Sequence, residues 1–301
     1  MSVIAIVAAL LLEQWRPLGD RKTVAQALHA WADWLERSFD AGESRHGSIA
    51  WLVAVLAPLA AALGLYWLLA AMSPFAALLL NVAALYLTLG FRQFSHYFTD
   101  IQVALREGEL DRARELIGAW RGESALHRSR EEVVRLAIEE AITASHRHVF
   151  AVLLWFVVLP GPSGAILYRL AVFLQRRWQG KGEFGRSAVR VVRWLEWPAA
   201  RCTAASFAVV GDFEDAAYCW RTQARAWPDP DLGIVLAAGA GALGVKLGMP
   251  LAEVEGLYAR PDLGLGETAD APFLDSTVGL LWRALVLWVF VLGVLTLVRI
   301  F

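Results

Sequence analysis

No aspartate, glutamate, lysine or arginine occurs between residues 47 and 91, a run of 45 positions. A helix needs about 20 apolar residues to cross the hydrocarbon core of a bilayer. Ser73-Pro74 interrupts the run near its middle, and proline, which lacks a backbone N–H, ends or breaks a helix. The run therefore reads as a helical hairpin, roughly 50–72 outward and 75–91 back. Asn81, inside the second arm, is expected to face protein rather than lipid. Composition agrees: 57% of the chain is apolar and 19% charged, against about 45–50% and about 25% in soluble domains. Disorder is excluded by the abundance of Leu, Val, Ile and Phe, collagen by the lack of a three-residue glycine period, and a disulfide-rich scaffold because only Cys202 and Cys219 are cysteines. The 14 tryptophans suit a chain anchored at bilayer surfaces. With 28 Lys+Arg against 29 Asp+Glu, nothing global suggests nucleic acid as a partner.

Three further apolar segments follow. Val3 to Leu12 is short and has no basic leader, so it reads as a retained, partly inserted helix rather than a signal peptide. Residues 149–175 comprise two apolar arms of about a dozen residues around Pro160-Gly161-Pro162-Ser163-Gly164. Each arm is too short to cross about 30 Å, which predicts a re-entrant broken-helix hairpin shielded by protein or lining a cavity. One long kinked span is the alternative. Residues 276–301 form a credible span, and Leu232–Met249, rich in glycine, reads as a buried helix-turn packed closely against the bundle.

Basic residues cluster in 13–46, 92–147 and 176–193, while the acidic loop 251–275 has Arg260 as its only Lys/Arg. The positive-inside rule places the three basic segments in the cytoplasm. The sequence is thus read as an all-α, polytopic integral protein of a bacterial inner membrane. It forms a single domain over 1–301, with a cytoplasmic helical insertion at about 92–148 and the lipid bilayer as its first partner. Homo- or hetero-oligomers are compatible with this. Within the insertion, one helix runs through Asp100 toward Glu107. Leu110, Ala113, Leu116 and Ile117 mark the apolar stripe of a second, and Ser129 with Glu132 forms a capping box for a third. Residues 176–193 predict an amphipathic surface helix, and Asp212 N-caps a short helix to Ala226. No strand alternation is evident.

P-loop, GxGxxG, HExxH and GxSxG motifs are absent. Candidate binding residues come instead from polar side chains beside or inside apolar segments. Arg92, His96 and Asp100 share one helix face, either as an anion- or metal-binding stripe or as a salt-bridged surface. His146, Arg147 and His148 precede the re-entrant arm, with Glu139 and Glu140 two turns upstream. They are read either as an anion site with arginine as forked donor or as interface anchors. Tyr168-Arg169 lies within the second arm, where a charge is costly unless paired or wet; Glu139 and Glu140 are its expected partners and a site wall its expected place. Lys246 follows Gly241 and Gly244, either cradling phosphate or marking close helix packing.

The stretch Ala240–Pro250, AGALGVKLGMP, is very similar to the C-terminal motif of the CobD/CbiB cobalamin-biosynthesis family. Pro230-Asp231 stands where that family has Pro-Asn. Leu11–Asp20, the segment from Arg92 to Trp178, and Trp194–Asp212 look more like the AmpE relatives. The resemblance implies an all-helical inner-membrane protein. Its enzymes, the adenosylcobinamide-phosphate synthases, join an aminopropanol (phosphate) arm to adenosylcobyric acid using ATP and Mg²⁺. AmpE-like proteins are linked to β-lactamase induction and cell-wall sensing.

Departures from the enzyme pattern concern acids. Glu139 matches the first acid of the family's Glu-Thr-Val-Ala-Glu-Asn-like run, but the next acid and amide fall on Thr143 and Ala144. A following aspartate falls on Arg147, and the acid before the glycine motif falls on Leu236. An N-terminal Asp-Pro is Asp20-Arg21, and a downstream His-Pro is missing. Holding Mg²⁺ needs carboxylates. Two readings therefore stand: a family member at the cobamide assembly stage that is degenerate in catalytic acids, or a non-catalytic AmpE-type sensor. An anionic or corrinoid small molecule is the expected ligand, with ATP and Mg²⁺ only if the protein is an enzyme and no metal site otherwise assigned. A transporter is suggested by the re-entrant hairpin alone.

Overall fold

The computed structural model describes residues 2–15, 22–39, 44–253 and 256–298; at residues 2, 22–25, 39, 44–46, 92, 93, 252, 253, 256–258 and 297 it describes the backbone alone. Helices dominate, as composition and periodicity require of a membrane protein. Among the described residues, three helical runs are long and apolar enough to cross a membrane: Gly47–Met72, Arg130–Val158 and Pro272–Thr296. The chain divides into two compact units. One comprises Met1–Leu89, Ala151–Trp197 and Thr296–Phe301; the other comprises Gly90–Phe150 and Pro198–Leu295.

In the first unit, α1 (Ser2–Trp15) packs on α4 (Pro74–Thr88), which also meets α3 (Ser44–Met72). Ser73 alone separates α3 from α4, with Pro74 at the first helical position, where its missing N–H costs nothing. Asn81 is buried, as its place in an apolar helix demands. The return arm is shorter than its sequence suggests: α4 ends at Thr88, and 15 residues rise only about 22 Å. Helix α8 (Ala151–Val158) packs on α9 (Ser163–Trp178), which touches α3 and α4. The basic stretch 176–193 is not one helix. Helix α9 stops at Trp178, and α10 (Gly182–Val210) starts beyond Gly180, whose φ of 84° is left-handed.

Helix α2 (Lys22–Phe39) is tied to the end of α9 by ions. Asp33 Oδ1 accepts from Arg177 Nη2 at 2.6 Å, and Glu36 pairs with Lys181. The bonded Arg177 guanidinium holds the Asp33 carboxyl below its usual 3.8. A depressed carboxylate stabilises the fold above its unfolded pKa and loses that effect as pH falls through the folded value. Thermal unfolding of wild type and Asp33→Asn should therefore differ most near neutrality, and the gap should close below about pH 3.8. A gap that widens in acid would contradict this pairing.

The second unit is built on α5 (Phe91–Arg106), α6 (Leu110–Arg121), α7 (Arg130–Ser145), α11 (Phe213–Thr222), α12 (Pro230–Leu243) and part of α13 (Pro272–Val298). The capping box of α7 is formed in full: Ser129 Oγ accepts from Glu132 N–H at 3.1 Å, and Glu132 accepts from Ser129 N–H at 2.7 Å. Asp212 caps α11. Ala113 and Ile117 are buried on α6, as their stripe requires. Arg106 and Gln102 both bond Asp275, which fixes α5 to the first turn of α13.

Two expectations change here. Residues 149–158 are not a short arm. A π-helical turn, His146–Phe150, carries α7 into α8, so Arg130–Val158 is one helical run of 29 residues. The polar triplet at 146–148 sits inside this run rather than at its edge. The break at Pro160–Pro162 follows as expected. Second, the segment after α12 is strand, not helix-turn. Gly244 ends α12 in the left-handed region, and β1 (Val245–Gly248) pairs antiparallel with β4 (Asp262–Leu263) and parallel with β5 (Glu267–Thr268). Strands β2 (Leu251–Glu253) and β3 (Gly256–Tyr258) pair antiparallel.

Candidate functional site

Helix α7 presents Glu139, Glu140 and Thr143 at i, i+1 and i+4 on one side, and the π-helical turn that follows it adds Arg147. They line a cavity of about 530 Å³ within the second unit, inside the usual range of ligand sites. Leu232 and Leu236 of α12, with Trp227 and Pro228 before it, form an apolar wall. Arg121, Glu123 and Arg128 line it from the α6–α7 connection, and Leu251, Ala259, Arg260 and Pro261 from the strand segment.

The chemistry centres on Glu139, which is buried. Its Oε1 accepts from Gly248 N–H at 2.8 Å, and its Oε2 is paired with Arg260. Gly248 is required there: its φ is 71°, and a Cβ would lie 2.0 Å from the Pro261 carbonyl oxygen. The Arg260 side chain is only 8% exposed, and its guanidinium lies 5.0 Å from the Trp227 ring centroid, within cation–π reach. Arg260 Nη1 is buried without a hydrogen-bond partner among the described residues. Arg135, one turn before Glu139, is also buried and donates to the Pro250 carbonyl. Four arginines thus line the cavity against three glutamates. The outer pairs are loose: Arg121–Glu140 at 3.7 Å, Arg121–Glu123 at 3.7 Å and Arg147–Asp229 at 3.6 Å.

Such a donor set suits an anion. It does not fit Mg²⁺: the one well-buried carboxylate is occupied by a guanidinium and a backbone N–H. Among the described residues, no three His, Cys, Asp or Glu side chains are grouped to hold a metal ion.

The other candidate residues lie elsewhere. His96 and Asp100 form an exposed i,i+4 pair at 3.3 Å, and the side chain of Arg92 lies outside the described residues. His146 Nδ1 bonds Thr203 Oγ1 at 2.9 Å inside the core, and the His148 carbonyl accepts from Gly90 N–H. Tyr168 belongs to the first unit, where its hydroxyl donates to Glu196 at 2.7 Å. Arg169, in the same unit, is half-buried, and the Glu139 carboxylate expected for it goes to Arg260 and Gly248. Lys246 is exposed on β1, opposite Thr268, on a strand rather than in a glycine turn. Arg260, Trp227, Arg121 and Arg128 were not singled out from sequence as ligand residues. For Arg260 a signal existed: it is the lone basic residue in an acidic loop.

The sequence pattern of the CobD/Cbib protein family matches residues 6–281. The chain belongs to the CobD/CbiB family. It is 35% identical over 301 residues to the cobalamin biosynthesis protein CobD of Stutzerimonas stutzeri strain A1501, covering 97% of each chain. It is 39% identical over 216 residues to a protein of that name from Chromobacterium violaceum, covering 70% of this chain and 69% of the relative. A Mycobacterium tuberculosis relative of the same name is 27% identical over 207 residues, 66% of each chain. No solved structure matches. These findings carry the CobD/CbiB side of the resemblance and do not show the AmpE side. Glu139, Thr143, Arg147 and Leu236, the four positions at which the resemblance leads one to expect acids, all line this cavity.

Proposed function

We propose that this membrane protein serves cobalamin biosynthesis at the stage where the aminopropanol arm meets the corrin. Its α7–α12 cavity binds the anionic end of a ligand from that chemistry without completing ATP-driven amide synthesis alone. The observation that carries the reading is Arg260, desolvated and held by Glu139 and Trp227, with a buried N–H group left over in a cavity lined by three more arginines. A charged hydrogen bond to such a group contributes about 1.5–3 kcal/mol. The name shared by the relatives supplies the pathway, and the substitutions at Thr143, Arg147 and Leu236 supply the catalytic deficit.

Purified protein should bind aminopropanol phosphate, with affinity reduced about tenfold by Arg147→Gln. Supplied also with adenosylcobyric acid, ATP and Mg²⁺, it should release no adenosylcobinamide phosphate. Robust turnover would overturn the catalytic deficit. Failure to bind either aminopropanol phosphate or adenosylcobyric acid would overturn the assignment to this pathway.

A further inference from the structure

Two short stretches of the second unit meet at both of their ends. One runs from Gln223, the C-cap of α11, to Trp227; the other runs from Arg260 to Gly264. At one end the Arg260 guanidinium lies 5.0 Å from the Trp227 ring centroid. At the other end the Gln223 carboxamide holds both polar groups of one residue. Its Oε1 accepts from Gly264 N–H at 2.6 Å, and its Nε2 donates to the Gly264 carbonyl at 3.3 Å. The two stretches and the two contacts close a loop.

The Trp227 side of this loop is stiffened by its own backbone. Ala226 N–H bonds the Gln223 carbonyl at 3.0 Å, and Trp227 N–H bonds the Ala224 carbonyl at 3.3 Å. The Arg260 side is held less well. Strand β4 meets β1 through two residue pairs, Leu247 with Leu263 and Gly248 with Asp262, and Met249 N–H bonds the Pro261 carbonyl at 3.2 Å. So short a ladder specifies register weakly, and a one-residue slip moves a strand about 3.3 Å along its axis and reverses its faces. Burial of Leu263 selects the face. Gln223 fixes the position along the axis, because it engages the N–H and the carbonyl of one residue at once. Glu139 and Trp227 hold the guanidinium of Arg260; Gln223 holds the backbone behind it.

We propose that Gln223 is a positioning residue for the anion site: by clamping Gly264 it sets where Arg260 presents its guanidinium. Gln223 is not among the residues lining the α7–α12 cavity, so its effect on a ligand passes through Arg260. The inference rests on the reading of that cavity as an anion site.

The test uses the full-length protein in detergent. Gln223→Met keeps the length of the side chain and removes both bonds; Gln223→Glu keeps the acceptor of the shorter one. Phenylglyoxal labelling of Arg260, followed by mass spectrometry without ligand, reads the position of the guanidinium. It should be about tenfold faster in Gln223→Met than in wild type, with Gln223→Glu between them. Affinity for aminopropanol phosphate, measured by calorimetry, should fall about tenfold in Gln223→Met and about threefold in Gln223→Glu. A lower melting midpoint with unchanged labelling at Arg260 would make Gln223 merely structural and overturn the proposal. Unchanged affinity in Gln223→Met, where Arg260→Gln binds more weakly than wild type, would overturn it too. Should Arg260→Gln bind as tightly as wild type, the reading of the cavity falls instead, and the labelling rate alone decides the role of Gln223.

Discussion

Arg260→Leu should destabilise the protein by about 3–5 kcal/mol, because it strands a buried carboxylate. Glu139 is almost fully buried, and Arg260 supplies one of its two charge-neutralising contacts; the other is Gly248 N–H. Glu139→Leu should cost a similar amount by stranding Arg260 beside Arg135, a second buried arginine. The double variant E139L/R260L should be more stable than either single one, since it removes both charges together. Chemical denaturation in detergent of the four proteins gives the cycle. Additive losses would mean that the two side chains are not a coupled pair. The same cycle reports on the cavity: any variant lacking Arg260 should lose binding of aminopropanol phosphate, including the more stable double variant, and this separates recognition from folding.

That pair also marks where sequence reasoning runs out. Local signals were legible. The uncharged run, the break at Ser73-Pro74, the Ser129–Glu132 box and the Asp212 cap all act within a few residues. The cavity wall formed by Glu139, Glu140 and Thr143 of α7 with Arg147 in the turn beyond was partly legible for the same reason, since Glu139 and Glu140 stand two turns before Arg147. Glu139 meets Arg260 across 121 residues, and Tyr168 meets Glu196 across 28. No periodicity encodes such partners. Strand β1 was invisible for another reason: four residues that read buried, exposed, buried, buried are too few to show a period of two. With β1 unseen, Lys246 was placed in a glycine turn, whereas alternation on the strand sends it outward. The π-helical turn at 146–150 hid the length of the second span, because polar residues there looked like a boundary.

The glycine-rich segment that first suggested the family makes its own forecast. Helix α12 has no capacity for larger side chains at two of its glycines. A Cβ on Gly241 would lie 2.4 Å from the Asp215 carbonyl oxygen of α11, and one on Gly233 would lie 2.2 Å from the Ala224 carbonyl oxygen and 2.7 Å from Trp227 Cβ. In both cases backbone must move, and overpacking of this kind costs about 1–3 kcal/mol. Gly239 differs, because its Cβ would meet the flexible end of Ile142 at 2.9 Å, so Gly239→Ala should be mild. Gly279, in α13, has nothing within 4 Å, and Gly279→Ala should gain about 0.5–1 kcal/mol from reduced backbone entropy in the unfolded chain. Stability should therefore rank Gly279→Ala, Gly239→Ala, then Gly241→Ala and Gly233→Ala together. Gly233→Ala should also weaken anion binding, because it pushes on Trp227, the ring over which Arg260 rests. Should Gly233→Ala and Gly241→Ala prove as stable as Gly279→Ala, close packing would not be why these glycines stand where they do.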